Sequence, residues 1–218
     1  MHYPPVSMMN KRSMILFGNS ILSIDPNIAE IKLGVVTEEL ELKTAQQKNA
    51  GIIQQIINSI IELGISEEKI NTSEYTIYPR YDYVDGIQKF KGYQVKHILN
   101  ITITNLDKTG VIIDTAVGIG ANEVENINFI VKNKDSYYQR ALAMALEDTL
   151  VKAQTIANTL RLNLDPKPVK ITEQSTEQPL VPYQPAISSE LVDGSSTPIQ
   201  PGRIDIEARI EVEFLYFS

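Results

Sequence analysis

Alternating apolar and polar positions predict several long strands in this chain. Residues 13–24 and 28–37 are predicted strands on either side of the turn cluster Asp25-Pro26-Asn27. In the second of them, apolar residues alternate with polar residues or glycine, which predicts one buried face and one wetter face. The last strand has the clearest alternation, with apolar positions separated by mainly charged ones: Ile204, Ile206, Ala208, Ile210, Val212, Phe214 and Tyr216.

Three segments have the helical period instead. Pairs of isoleucines four residues apart predict a helix over about 40–63, and Gly64 is a natural end for it. Further helices are predicted over about 106–119 and 136–162. The third helix carries a seam spaced alternately four and three residues apart, which we expect to pack on a sheet or on another helix: Leu142, Leu146, Thr149, Ala153, Ile156 and Leu160.

The remaining strand signals lie between these helices. Residues 70–83 and 93–103 are strand-like, and Asp85-Gly86 between them predicts a hairpin. Shorter strands are predicted at 123–131 and 169–172. The chain is therefore predicted to have an α+β fold, with long antiparallel strands and helices packed on one face.

An internal echo suggests two related helix–strand units. Each begins at a Gly-Ile-Ile or Gly-Val-Ile triplet, at Gly51 and Gly110, and each reaches a glycine before the next strand. Either a duplication, or simply the common pattern of a helix that ends at glycine before a strand, accounts for this match.

The predicted organisation is a flexible N-terminus (1–12) and a single domain (13–218), which is either undivided or made of two lobes at 13–104 and 105–218. Residues 175–202 are rich in proline and serine, so they are not expected to form a long helix or a central strand. This segment is either a mobile excursion or an arm that grips a neighbour.

Composition excludes several kinds of chemistry. The 218 residues include no cysteine and only two histidines, which removes disulfides, cysteine nucleophiles and histidine-clustered metal sites. The net charge of −7 has no accompanying basic stripe, so a nucleic-acid partner is not expected. The sequence predicts no catalytic, cofactor-binding or metal site, and we expect the protein not to be an enzyme.

Three further features of the sequence suggest a site and also have a simpler interpretation. Glu38, Glu39 and Glu41 are either a metal cluster or a solvated helix start, where acidic groups suit the helix dipole. His97 lies in the apolar phase of its strand and reads as a packed core or interface imidazole rather than a ligand. Gly118-Ile119-Gly120 lacks the third glycine of a dinucleotide fingerprint and does not follow a strand.

Tyrosines are densest around the predicted hairpin, where Arg80 and Lys91 are their cationic neighbours. Tyr81, Tyr83 and Tyr93 are expected to meet across it. The whole group is either packing or a surface that faces a protein or a ligand: Tyr75, Tyr78, Tyr81, Tyr83 and Tyr93.

The final strand suggests self-association. Fourteen residues reach about 45 Å at the usual rise, and a strand of that length exposes backbone edges that need to be covered, charged or paired. We therefore expect homo-oligomerisation by strand pairing. The outward carboxylates of this strand are expected to keep its edge from pairing indiscriminately: Asp205, Glu207, Glu211 and Glu213.

Residues 1–12 do not resemble a signal peptide, because only four consecutive apolar residues follow Arg12-Ser13, and no stretch is long enough to span a membrane. The expected location is cytoplasmic. A periplasmic or extracellular protein whose leader had been removed would show the same pattern.

Short motifs occur in an order that resembles the SIMPL domain family, the YggE-like group of oxidative-stress defence and periplasmic immunogenic proteins. The resemblance runs from Gly18 to Phe217. Its residues include Pro26-Asn27-Ile28-Ala29, the run from Thr72 to Tyr83, Gly92-Tyr93, Gly120-Ala121, Phe129, the helix positions Ala141, Ala145, Asp148, Lys152-Ala153 and Ala157, and Pro198 to Gly202. Asn27 stands where the family usually has Asp.

The resemblance implies an α+β fold, assembly into ring-like or channel-like oligomers, and a link to stress tolerance, with no established catalytic residues. The predicted function is a non-enzymatic, homo-oligomeric scaffold or interaction protein. The alternative is a small-molecule binding module or a weak hydrolase that uses carboxylates such as Glu123 and Glu125 beside tyrosines.

Overall fold

The computed structural model describes residues 12–174 and 196–217. They form two compact units. The central unit contains residues 25–132 and 196–202, and the terminal unit contains residues 12–24, 133–174 and 203–217. The chain therefore does not divide at 104/105, where the sequence suggested a boundary between lobes, because the first and last strands belong to the same sheet.

The central unit has the element order βαββαβ. Its elements are β2 (Ile28–Glu39), α1 (Leu42–Glu62), β3 (Ile70–Val84), β4 (Ile87–Ile103), α2 (Thr109–Ile119) and β5 (Glu123–Ile130), with short 3₁₀ turns at Glu67–Lys69 and Leu106–Lys108. The strands lie in the order β3-β4-β2-β5, and every neighbouring pair is antiparallel. This is the split βαβ arrangement of ferredoxin-like folds.

Both helices of the central unit pack on one face of its sheet. The predicted alternation of β2 is confirmed, because Ile31 and Leu33 are fully buried in the same cluster as Ile56 of α1 and Ile112 of α2. Burial of each such side chain is worth about 1.5–3 kcal/mol, so this cluster is a major source of the unit's stability.

The echo in the sequence corresponds to the two halves of this topology. The α1 helix is followed by Gly64 and β3, and α2 is followed by Gly120 and β5. Both glycines have positive φ, +92° and +132°, and follow the last turn of their helix. The two helix–strand units are thus structurally equivalent, whereas their origin by duplication stays a prediction.

The terminal unit combines β1 (Arg12–Ile24), α3 (Lys134–Leu160), β6 (Asn163–Leu164), β7 (Lys170–Gln174) and β8 (Ile204–Phe217). β1 pairs with β8 along its whole length, from Arg12 opposite Tyr216 to Ile24 opposite Ile204. The other side of β8 pairs with β6 and β7. β8 is therefore a central strand, and the expectation that its carboxylates protect an open edge is wrong; β1 lies at the edge of this sheet.

The buried seam of α3 also differs from the prediction. Leu160 is 62% exposed and Leu146 36% exposed. Thr149 and Ala153 of the predicted seam are buried, but the full set of buried positions consists of small residues four apart: Ala141, Ala145, Thr149, Ala153 and Ala157. Small side chains are required because α3 lies so close to β1 that a Cβ added to Gly18 would stand 2.1 Å from the carbonyl oxygen of Ala145.

The proline- and serine-rich segment is described in part. Residues 175–195 lie outside the described residues. Residues 196–202 pack against α2, where the backbone N–H and the hydroxyl of Thr197 donate to the carboxylate of Asp114 at 2.8 and 2.5 Å. Ile199 also contacts the core of the central unit, so this end of the segment is held by its own chain.

Candidate functional site

Residues 80–92 form a two-stranded arm that extends past the end of β2. β2 pairs with β4 only as far as Glu39 opposite Tyr93, whereas β3 and β4 continue to pair as far as Val84 opposite Ile87. Asp85 and Gly86 connect them with φ values of 53° and 75°, which suits a two-residue hairpin turn and confirms the prediction from this dipeptide. Residues 80–91 are all exposed.

One side of the arm is aromatic. The Tyr81 and Phe90 rings are edge-to-face at 5.7 Å, and the Phe90 and Tyr93 rings at 5.2 Å. Of the three tyrosines that were expected to meet, Tyr81 and Tyr93 are therefore joined through Phe90, while Tyr83 lies opposite Gln88. Counting back from the two-residue turn already places Phe90 opposite Tyr81, so the sequence contained this signal.

The other side of the arm, which we call its charged face, mixes cations with aliphatic groups. Lys89 lies opposite Asp82, and the Lys91 ammonium is 3.8 Å from the Asp82 carboxylate. Val84 and Ile87, which pair beside the turn, are 42% and 64% exposed. Opposite residues of an antiparallel pair share a face, which places Asp82, Lys89, Val84 and Ile87 together. Lys91 lies at a register shift and has no opposite residue, and it joins this surface through its contact with Asp82.

A cleft of about 260 Å³ lies at the base of the arm. Its lining contains two of the three glutamates that the sequence suggested as a cluster, both cationic neighbours of the tyrosines, and one tyrosine. The lining residues are Glu38, Glu39, Leu40, Arg80, Lys91, Gly92 and Tyr93.

The carboxylates of this region contact cations rather than one another. Glu39 pairs with Lys48 at 2.8 Å, and Glu38 lies 3.7 Å from Arg80. Glu38 and Glu39 belong to β2, and Glu41 is the N-cap of α1. Of the three glutamates that were interpreted as a solvated start of the helix, only Glu41 therefore lies at that start. Within residues 12–174 and 196–217, no three His, Asp or Glu side chains are grouped to hold a metal ion.

His97 is half-buried beneath α1 in the central unit. Its ring packs edge-to-face on Tyr75 at 5.2 Å, and its Nε2 shares a hydrogen bond of 3.0 Å with the Thr72 hydroxyl. Gln46 of α1 donates to the Tyr75 hydroxyl at 3.1 Å. Desolvation lowers the pKa of His97 below its usual value, which favours the neutral imidazole. These contacts are those of a packed histidine.

The carboxylates suggested for a hydrolase are arranged differently from that hypothesis. Glu125 accepts a hydrogen bond from Lys96 at 2.8 Å, and Glu74 lies 3.1 Å from the same ammonium. The hydrogen bond to Glu125 and then that to Glu74 raise the pKa of Lys96. Glu123 lies opposite Gly34. Neither Glu123 nor Glu125 lines the cleft at the base of the arm.

The terminal unit carries a second candidate surface, the outer face, on the side of its sheet away from α3. Ile15, Phe17 and Ile21 of β1 lie there and are 55%, 51% and 57% exposed. They lie opposite Glu213, Glu211 and Glu207, so an apolar row runs beside an acidic row, and Asn19 opposite Arg209 interrupts both rows between Phe17 and Ile21. A shallow cleft of about 240 Å³ includes Ile21 and Arg209. This surface was not predicted from the sequence.

Two side chains of α3 occupy backbone groups of β1. The carboxylate of Asp148 accepts from the N–H of Asn19 at 3.2 Å, and Lys152 donates to the carbonyl oxygen of Phe17 at 2.9 Å. Lys152 also donates to Asp148 at 2.7 Å. That bond, followed by the one from Asn19, lowers the pKa of Asp148.

Two other sequence features have structural explanations. Gly118 and Gly120 lie at the carboxyl end of α2, whereas a phosphate-binding glycine turn precedes the amino end of a helix. Among the described helices, none has the length and apolar character needed to cross a membrane.

Comparison with known proteins places these features in a family. The model of the SIMPL family, described as a protein of unknown function (DUF541), matches residues 15–214. The chain is 25% identical over 201 residues to the uncharacterized protein YggE of Escherichia coli, which covers 92% of this chain and 79% of that protein. It is 23% identical over 205 residues to the 26 kDa periplasmic immunogenic protein of Brucella melitensis, covering 90% and 82%. Because the family model spans most of its length, the chain belongs to the SIMPL family.

Proposed function

We propose that this protein is a non-enzymatic scaffold that assembles with copies of itself through the outer face. The observation that carries the proposal is the row formed by Ile15, Phe17 and Ile21, each more than half exposed on one strand. Several exposed apolar side chains on one face, bordered by charges, are typical of protein interfaces.

The strand edge itself is less suited to assembly than this face. A further strand could pair with β1 only through its backbone groups, and α3 already occupies the N–H of Asn19 and the carbonyl of Phe17. Covering an edge in this way is a common protection against strand pairing. Contact between side chains on the outer face is therefore our proposal, in place of the strand pairing expected from the sequence.

Sedimentation velocity of the full chain at micromolar concentration tests self-assembly. We expect an oligomer that dissociates when Ile15, Phe17 and Ile21 are all replaced by serine. A variant with Val151→Ser and Leu160→Ser on α3, which are 60% and 62% exposed, removes exposed apolar groups elsewhere and is the control. A monomeric wild-type protein contradicts the proposal.

The non-enzymatic part of the proposal rests on composition and on the family. The chain has no cysteine and two histidines, and the names of these two relatives state no enzymatic activity. Turnover of ester or amide model substrates that is abolished by Glu125→Gln, with the fold intact, would overturn it.

We further propose a periplasmic location and a role in stress defence. The Brucella relative is named as a periplasmic protein, which supports the periplasmic alternative, whereas the cytoplasmic location expected from the N-terminus has no such support. The stress role rests on the resemblance to the YggE-like group. Fractionation of the native host with an antibody against this chain, and survival of a deletion strain under peroxide, test the two parts separately.

A second candidate function is small-molecule binding in the cleft at the base of the arm. Arg80 and Lys91 beside Glu38 and Glu39 suit a ligand that carries both charges. Thermal-shift measurements with each free amino acid test it. Stabilisation that is lost in Arg80→Ala supports binding there, and the absence of any shift counts against it.

A further inference from the structure

We propose that the outer face of one copy receives the charged face of the arm of a second copy. This inference rests on the proposed self-assembly and names its two surfaces. They are different patches that belong to different units, and every copy carries both. The contact is therefore heterologous, so each copy can engage two neighbours.

The apolar groups of the two surfaces match in kind. The arm presents Val84 and Ile87, 42% and 64% exposed, near the turn at its end. The outer face presents Ile15 and Phe17, 55% and 51% exposed. An arm formed by two strands is narrow and projects past β2, so it can lie across a sheet without bringing the rest of its unit into contact.

The charges are complementary. On the outer side of β8, Arg209 is the one cation among four carboxylates: Asp205, Glu207, Glu211 and Glu213. On the arm, Lys89 and Lys91 outnumber Asp82. Lys170 of β7 lies opposite Glu213 and reduces the acidity of that end of the row without reversing it.

The best-placed charges also lack partners within the described residues. Among residues 12–174 and 196–217, Lys89, Glu211 and Glu213 form no ion pair, and Lys91 reaches Asp82 only at 3.8 Å. Glu211 and Glu213 are two residues apart on a regular strand, which spaces them about 7 Å apart. Lys89 and Lys91 are also two residues apart, with Lys91 at the register shift of the arm. Two lysines can thus face two glutamates while the neighbouring apolar groups touch.

A charge-swap experiment tests this pairing. Lys89→Glu with Lys91→Glu should raise the dissociation constant of the oligomer at least about tenfold, and Glu211→Lys with Glu213→Lys should do the same. Combining all four substitutions should restore assembly, because the attraction is re-established with reversed signs. Lys43→Glu with Lys132→Glu is the control, because it changes the net charge by the same amount as the two lysine substitutions on the arm. Both positions are exposed and lie outside the two surfaces, so assembly should be unchanged.

The outcomes separate this inference from the proposed function. A monomeric wild-type protein defeats both. An oligomer that both charge reversals leave intact, or that the four-fold variant does not restore, overturns the arm contact and leaves self-assembly standing.

The absence of native cysteine allows a direct second test. Two variants, Phe17→Cys and Ile87→Cys, are purified separately, mixed and oxidised. A contact between arm and outer face gives a disulfide-linked heterodimer, which mass spectrometry identifies, and such a link can form only between copies. Phe17→Cys homodimers without the heterodimer would indicate that two outer faces meet, and would overturn the proposal.

Discussion

The ammonium group of Lys152 donates a hydrogen bond of 2.9 Å to the backbone carbonyl oxygen of Phe17. One helical turn earlier on α3, Asp148 accepts from the N–H of Asn19, and the two side chains also pair with each other at 2.7 Å. Because the two backbone groups are bonded to α3, a further strand cannot use them for a ladder. The exposed apolar row of β1 is thus kept available while the strand's own edge is blocked at its middle.

Lys152→Met tests this protection, because methionine retains the apolar stem and removes the donor. We expect the free energy of unfolding to fall by about 1 kcal/mol, the usual net worth of such a hydrogen bond. We also expect faster thioflavin-positive aggregation on mild heating, since the carbonyl of Phe17 becomes available to other strands. Lys167→Met, at an exposed loop position, is the control. Equal aggregation of both variants would remove the protective role from Lys152.

Asp148 makes stability depend on acidity. Its hydrogen bonds lower its pKa in the folded protein below the unfolded value near 3.8, so its contribution is fully present above the unfolded pKa and is lost as the pH falls through the folded one. Asp148→Asn cannot titrate. Because the Asp148 side chain is 34% exposed, we expect it to cost less than 1 kcal/mol at pH 7.

Urea denaturation of both proteins at a series of pH values measures this effect. The difference between them should shrink as the pH falls from about 5 to about 2. A difference that stays constant over this range would show that the charge of Asp148 is not what stabilises the protein.

Local patterns predicted the elements of this fold well and their long-range pairing poorly. The alternation in β2 and the Asp85-Gly86 turn are determined within a few residues, and both predictions are confirmed. The pairing of β1 with β8 joins residues at opposite ends of the chain, and no local period carries that information. For this reason the carboxylates of β8 were expected to protect an exposed edge of that strand, whereas the exposed edge belongs to β1.

The outer face was recognisable in principle. β1 is apolar on both of its sides, since Leu16 faces α3 while Ile15 and Phe17 point away from it. A strand with two apolar faces is typical of one covered on both sides. The sequence could not show that the described chain covers only one side, because that depends on where α3 packs. On the arm, in contrast, the turn alone fixes the position of Phe90.

Gly18→Ala should be strongly destabilising. The added Cβ would lie 2.1 Å from the carbonyl oxygen of Ala145 and 2.6 Å from the Thr149 side chain, so α3 and β1 must separate along their buried contact. Overpacking of this kind typically costs about 1–3 kcal/mol, and backbone against backbone belongs at the upper end. Gly51→Ala is the matched control, because its Cβ meets nothing within 4 Å.

Gly51→Ala adds a methyl group to α1 and should stabilise the protein by about 0.5–1 kcal/mol, because alanine has a higher helix propensity than glycine. Thermal unfolding followed by circular dichroism should therefore move the two melting temperatures in opposite directions. Two small shifts of the same sign would mean that the approach of α3 to β1 is looser than the structure shows.

His97 should titrate below its ordinary value. Desolvation lowers the pKa of His97 from 6.5 in the folded protein. The stability that the neutral imidazole contributes to the protein is therefore fully present above pH 6.5, and it is lost as the pH falls through the folded pKa. Tyr75→Ala uncovers the ring that packs on Tyr75 at 5.2 Å, and should raise the midpoint toward 6.5. Tyr78→Ala removes a tyrosine from the opposite side of the same strand and should leave it unchanged.

An NMR titration of the imidazole resonance absent from His97→Gln measures each midpoint. Tyr75 and Tyr78 differ by three positions along β3, opposite His97 and Gln94 respectively, so a charge or fold effect common to both substitutions would move both midpoints. A rise confined to Tyr75→Ala is the result expected from renewed access of water to the ring. Such a result would establish that burial by Tyr75 keeps His97 neutral, and a midpoint at or above 6.5 in the wild-type protein would exclude it.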